Sequence, residues 1–93
     1  MQKKQNVNRR LNAIKKTLPE YCVVCGRKGC DLAHLLPRSL YPEYITEEWN
    51  LVIMCRVCHV QYDNNRVFRR GCFDLVERVK QHDQCAANRY FGL

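Results

Sequence analysis

The sequence predicts a small α+β domain: two short strands and a helix set between two cysteine knuckles, flanked by a basic N-terminal helix and a C-terminal helix. Three observations predict it. Two C-x-x-C pairs, Cys22/Cys25 and Cys55/Cys58, are spaced too far apart for a compact zinc ribbon, so a folded unit must be inserted between them. Within that insert lie two short apolar runs of strand length, Cys30 to Leu36 and Leu51 to Met54. The chain has 93 residues, enough for one thin core of the kind that small domains reinforce with a metal or disulfides. The expected divisions are a basic amphipathic helix over 1–18, a knuckle core over 19–65, and a basic linker with a last helix over 66–93. All three belong to one domain.

Taken in order, Val7, Leu11, Ile14 and Leu18 recur at helical spacing, and residues 1–17 carry six basic side chains and no acid. The helix should stop at Leu18, because Pro19 disfavours the α region in the residue before it. The apolar stripe then faces the domain, and Lys3, Lys4, Arg9, Arg10, Lys15 and Lys16 face outward. Gly26 follows the first C-x-x-C, where a tight knuckle needs positive φ. Pro37 ends the first strand. Alternation along it places Asp31, Ala33 and Leu35 on one face and Leu32, His34 and Leu36 on the other. Residues 40–48 read as a loop anchored by Tyr41, Tyr44, Ile45 and Trp49. The second strand pairs antiparallel with the first, and helix resumes near Arg56 and weakens at Asn64 and Asn65. Phe73 to about Gln84 is the last helix, packing through Phe73, Val76 and Val79. Residues 86–93 read as a tail to which the sequence assigns no element, and His82 as a surface residue.

Lys and Arg number 16 against nine acids, a formal charge of +7. That excess is the electrostatic footprint of a polyanion binder, with nucleic acid foremost. No apolar run reaches membrane-span length, and no export segment opens the chain. A cytoplasmic protein with reduced thiols is therefore expected. Seven cysteines, an odd number, fit a disulfide framework poorly. Cys22, Cys25, Cys55 and Cys58 are instead read as a four-thiolate structural zinc site (Zn²⁺), and Cys30, Cys72 and Cys85 as plain thiols. Cys55 to His59 also fits the C-x-x-C-H haem-attachment pattern, but that chemistry follows export, and a thioredoxin-like redox pair expects a βαβ setting absent here.

Three further residues stand together in this frame: His34 near the end of the first strand, Asn50 before the second, and His59 on the first turn of the helix. With Ala33-His34-Leu35-Leu36-Pro37-Arg38, Trp49-Asn50-Leu51-Val52 and Met54 to His59, the chain resembles the HNH endonuclease family over roughly residues 21–64. It is also similar to small phage-borne and recombination-type members, for which the host cytoplasm would be the location. The resemblance implies a ββα-metal unit between the knuckles that hydrolyses DNA and leaves a 5′-phosphate. It implies His34 as general base, Asn50 as the residue orienting the base's loop, and His59 as a ligand of a catalytic divalent metal. Imidazole suits the first role because it titrates near working pH, and a Lewis acid stabilises charge on the phosphate. Mg²⁺ or Mn²⁺ matches oxygen ligands, and His59 also accepts Zn²⁺ or Ni²⁺.

The family usually carries a metal ligand directly before the base; here that position is Ala33. Asp31 on the same strand face and Asp63, one helical turn after His59, are the candidates to complete the set. This departure motivates an alternative: a catalytically weak or inactive zinc-stabilised module that binds nucleic acid or a host protein. For either reading Arg38, Arg56, Arg66, Arg69, Arg70, Arg9 and Arg10 are the candidate phosphate contacts. No element reads as a recognition helix, so weak sequence preference is expected. DNA is the expected partner, with RNA as the alternative. A domain this small covers a long site only with a second copy or a protein partner.

Overall fold

The computed structural model describes residues 2–93, with side chains described from Asn6 onward. Helix α1 spans Gln2–Thr17. Leu11 is buried, while Val7, Ile14 and Leu18 are half-buried, so the predicted stripe faces the domain. Arg9, Arg10, Lys15 and Lys16 are exposed; the side chains of Lys3 and Lys4 lie outside the described residues. After Pro19 the first knuckle closes on itself. Gly26 has φ of 79° and its N–H donates to the Cys22 carbonyl at 2.9 Å. Such a φ is strained for any residue with a Cβ.

Strands β1 (Asp31–His34) and β2 (Leu51–Met54) form a two-stranded antiparallel sheet. Its register pairs Asp31 with Met54, Ala33 with Val52 and His34 with Leu51. β1 is shorter than the apolar run that predicts it. Beyond His34 the Asn50 side chain, not a strand partner, takes both the N–H and the carbonyl of Leu36. The chain leaves the ladder there, so Leu35 and Leu36 are both fully buried and the alternation expected at Leu36 fails.

Helix α2 (Arg56–Asn64) starts at Cys55, whose sulfur accepts from the Cys58 N–H at 3.4 Å. It stops where Asn65 turns from helix breaker to cap. Asn65 Oδ1 accepts from the Phe68 N–H at 3.1 Å and opens α3 (Arg66–Arg70), so the expected basic linker is a short helix. Helix α4 (Phe73–His82) follows. Phe73 is not a packing residue: it is 75% exposed, and Leu75 joins Val76 and Val79 on the buried face. The presumed tail is helix α5 (Gln84–Phe91). Asp83 caps it, accepting from the Ala86 N–H at 3.0 Å, and Gly92 ends it with φ of 73°.

The core joins both strands to α2, α4 and α5 through Ala33, Leu35, Val52, Met54, Tyr62, Val79, Ala87 and Phe91. Full burial of each large apolar side chain is worth roughly 1.5–3 kcal/mol. Tyr62 keeps its polar end satisfied by donating its hydroxyl to the Leu35 carbonyl at 2.7 Å. Among the described residues no helix is long and apolar enough to cross a membrane.

Candidate functional site

The two knuckles meet. Ligand atoms of Cys22, Cys25, Cys55 and Cys58 all lie within 4.8 Å of one another, and Cys25 Sγ is 3.7 Å from Cys55 Sγ. A tetrahedral thiolate site with bonds of about 2.3 Å places sulfurs about 3.8 Å apart, so the cluster suits a metal ion of the zinc kind. Burial opposes ionisation of Cys22, but backbone amides of Cys25, Cys55 and Val24 outweigh it and bring the thiol down to about 6. Burial and the neighbouring thiols push Cys58 up. Since Cys55 and Cys58 form the first turn of α2, whatever holds them also fixes where His59 stands.

His34 sits at the end of β1 with Nε2 3.0 Å from the Ile45 carbonyl. A carbonyl oxygen only accepts, so Nε2 carries the hydrogen and the neutral ring keeps its lone pair on Nδ1. Burial lowers its pKa below the usual imidazole value; the Ile45 contact opposes this and nearby Arg38 adds to it. Asn50, fully buried, is fully used. Oδ1 accepts from the Leu36 N–H at 2.7 Å, and Nδ2 donates to the Leu36 and Tyr44 carbonyls at 3.2 and 3.0 Å. It therefore ties the end of β1 to the loop whose Ile45 carbonyl holds His34.

His59 is gripped at both ring nitrogens. Nδ1 is 2.9 Å from Asp31 Oδ2, and Nε2 is 3.3 Å from Asp63 Oδ2. Asp31 also accepts from Arg56 Nε at 2.7 Å. His59 and Arg56 together hold its carboxyl below the usual range. Asp31 and Asp63 thus stand on opposite edges of the imidazole. Among the described residues, the cysteines form a cluster of three or more metal-ligating groups; Asp31, His59 and Asp63 do not converge in that way. His34, His59, Asp63 and Arg38 do line one cleft, together with Leu32 and Leu40. Ala33 points away from it, fully buried in the core.

The basic candidates separate by what their guanidiniums already touch. Arg38 and Arg66 are exposed, as are Arg9 and Arg10 on α1. Arg56 is spent partly on Asp31. Arg69 donates to the Tyr62, Asp63 and Tyr90 carbonyls and lies 4.1 Å over the Tyr90 ring. Arg70 donates to the Phe91 and Gly92 carbonyls. These two brace the end of α5 and the α2–α3 junction, a role that charge counting alone does not reveal.

Residues absent from the sequence-based set complete the surroundings. Tyr44 donates its hydroxyl to Asp83 Oδ2 at 2.6 Å, and Trp49 stacks on His82 with centroids 4.5 Å apart. His82 is exposed, as expected, yet it has this partner. The loop between the strands is in this way fastened to the α4–α5 corner. The signal for Asp83 was present in its helix-capping position; nothing local points to Tyr44 as its partner.

Comparison with known protein families matches residues 22–68, just over half of the chain, to the family described as HNH endonuclease. No curated protein and no solved structure matches the chain. The matched stretch contains both knuckles, the sheet, α2 and all of His34, Asn50, His59 and Asp63. A nuclease-type function on nucleic acid accords with that match in general terms, and the chain belongs to the HNH endonuclease family.

Proposed function

We propose that this protein is a metal-dependent endonuclease that hydrolyses DNA phosphodiester bonds with His34 as general base. The observation that carries the reading is the Ile45 carbonyl on His34 Nε2, which leaves Nδ1 as the proton acceptor in a cleft shared with His59 and Asp63. Nδ1 takes a proton from water as the water oxygen attacks phosphorus. The bond to the 3′-oxygen breaks, and the products are a 5′-phosphate and a 3′-hydroxyl once that oxygen takes a proton from solvent. The lowered pKa of His34 keeps it in the basic form at neutral pH.

The donor set fits a divalent cation at the His59–Asp63 edge. With Nδ1–H directed to Asp31, His59 presents Nε2 beside the Asp63 carboxylate. A hard ion such as Mg²⁺ or Mn²⁺ accepts few protein ligands and keeps water or phosphate oxygens for the rest. When bound, it supplies Lewis-acid stabilisation of charge on the phosphate. Asp31 in this reading orients His59 from behind and does not ligate, the usual arrangement of a carboxylate on a metal-binding imidazole. Arg38, at the mouth of the cleft, holds the flanking phosphate. The four cysteines hold zinc and set the start of α2, residues 19–65 form the nuclease core, and 66–93 belong to the same domain.

A binding module without turnover is the second reading, motivated by Ala33. Ala33 is buried in the core and gives the cleft no ligand; the cleft shared by His34, His59 and Asp63 is what favours the first. Titrating Mg²⁺ and Mn²⁺ into supercoiled plasmid, with a chelator control, separates them. Nicking that appears with the metal and disappears with the chelator supports the nuclease. Tight, salt-sensitive binding with no nicking under either metal supports the module.

A further inference from the structure

The cleft that holds His34 does not end at Leu40. Leu40 and Tyr90 line it and also line a second groove, whose other walls are Tyr41, Arg66, Arg69 and Arg89. The two hollows therefore adjoin at Leu40 and Tyr90, the second lying between α3 and α5. No acidic residue lines the second groove. Arg69 is occupied by backbone carbonyls and the Tyr90 ring, but Arg66 and Arg89 are exposed. Leu40 is 64% exposed, and Tyr41 and Tyr90 are half-buried, with parts of both rings facing the groove. Leu40, Tyr41 and Arg66 lie within the stretch matched to the family, whereas Arg69, Arg89 and Tyr90 lie beyond it, so the C-terminal helices complete the groove.

Two cations flanking two phenol rings and a leucine make a surface with two kinds of affinity. A duplex presents its phosphates to such a groove but keeps its base faces stacked, leaving the aromatic part unused. An unpaired strand offers both phosphates and exposed base faces, the combination that single-strand sites recognise. Resting on the nuclease reading of the adjoining cleft, we infer that the Arg66–Arg89–Tyr41–Tyr90 groove binds an unpaired nucleic-acid strand next to the scissile phosphate. The preferred substrate is then a DNA with a single-stranded flank, cut faster than a plain duplex.

The test measures binding with the zinc-loaded His34→Ala protein of 93 residues, so that cleavage does not interfere. Probes are a 12-nucleotide single strand, the same sequence as a blunt duplex, and a duplex carrying a single-stranded overhang, each titrated across a salt series. The single strand and the overhang bind several-fold tighter than the blunt duplex. Replacing Arg66→Ala and Arg89→Ala together weakens overhang binding about tenfold at low salt. It also reduces the steepness of the log-affinity against log-salt plot by about 1.4, the expectation for two lost single-strand phosphate contacts. Arg66→Lys with Arg89→Lys keeps the slope, which separates charge from fold. Equal affinity for the blunt duplex and the overhang overturns the inference, as does a double Ala variant with the parental affinity and slope. Cleavage of the overhang duplex and of plasmid by the wild-type protein with Mg²⁺ or Mn²⁺ is read separately, so a protein that binds the overhang as described but cuts neither removes the hydrolytic reading and leaves the groove in place.

Discussion

The hydroxyl of Tyr44 donates to Asp83 Oδ2 at 2.6 Å, tying the loop between the strands to the cap of α5. The same residue's carbonyl accepts from Asn50, and the next carbonyl along, that of Ile45, holds His34. A contact between loop and C-terminal helix therefore lies two short steps from His34. The hydrogen bond to Asp83 pushes the Tyr44 hydroxyl up to about 12, and the same bond holds the Asp83 carboxyl below its usual range.

Tyr44→Phe should lower stability by about 1 kcal/mol, the ordinary worth of one hydrogen bond, and reduce nicking about tenfold through displacement of the Ile45 carbonyl. A urea melt and a nicking assay check the pair. For Asp83 the depressed pKa means that the stabilisation is present above the ordinary carboxylate pKa and is lost as pH falls through the folded value. For Tyr44 the raised pKa means that it is present below 10 and lost as pH climbs towards about 12. The deficit of the variant is thus full at neutral pH and shrinks at both extremes. An unchanged melting midpoint at pH 7 removes the contact from the account.

Asp31 and Asp63 should differ in kind. Asp31→Asn leaves an acceptor for His59 Nδ1–H and lowers metal affinity modestly, whereas Asp31→Ala costs roughly 10–100-fold in affinity or activity. Asp63→Asn loses more affinity than Asp31→Asn. Mn²⁺ titration followed by electron paramagnetic resonance reads each variant. Equal losses for the two Asn substitutions would make Asp31 a ligand after all.

The pH–rate profile should rise and then level off. On the proposed general-base role His34 works in its unprotonated form, and burial sets its pKa below the ordinary 6.5, against the opposing Ile45 contact and Asp63 charge. The rate therefore climbs through a midpoint under 6.5 and is flat around neutrality. The charges of Arg38 and His59 act in the same direction as burial. A midpoint above 7 contradicts this assignment.

Removing the knuckle metal should unfold the domain. Cys58→Ser, or a strong chelator, frees the start of α2 and with it His59, and a small domain has only about 5–15 kcal/mol in all to lose. Loss of helical circular dichroism together with zinc release is the expected result. A fully folded, metal-free protein contradicts it.

Much of this was legible in the sequence where the signal was local. The two C-x-x-C pairs, Gly26, the Leu51–Met54 run and the Asn64–Asn65 break each state their structure within a few residues, and β2 and α2 lie where those signals place them. Helix α5 is not legible because two of its three buried positions, Ala86 and Ala87, are too small to give a strong periodic stripe, although Asp83 and Gly92 mark its two ends. The exposure of Phe73 and the burial of Leu75 depend on which side of α4 meets α5, a tertiary choice. The bonds of Arg69 and Arg70 to carbonyls about 20 residues away, and the placement of Asp31 behind His59, are likewise long-range. Sequence spacing suggested that Asp31 belonged near the metal; only the strand–helix packing shows which edge of the imidazole it occupies.

The most direct test of the central claim is plasmid nicking by His34→Ala protein in Mg²⁺ or Mn²⁺, with zinc content and circular dichroism matched to wild type. Loss of a general base predicts a rate lower by roughly 10²–10⁴-fold with the fold intact. Cleavage at the wild-type rate by the zinc-loaded His34→Ala protein contradicts the account.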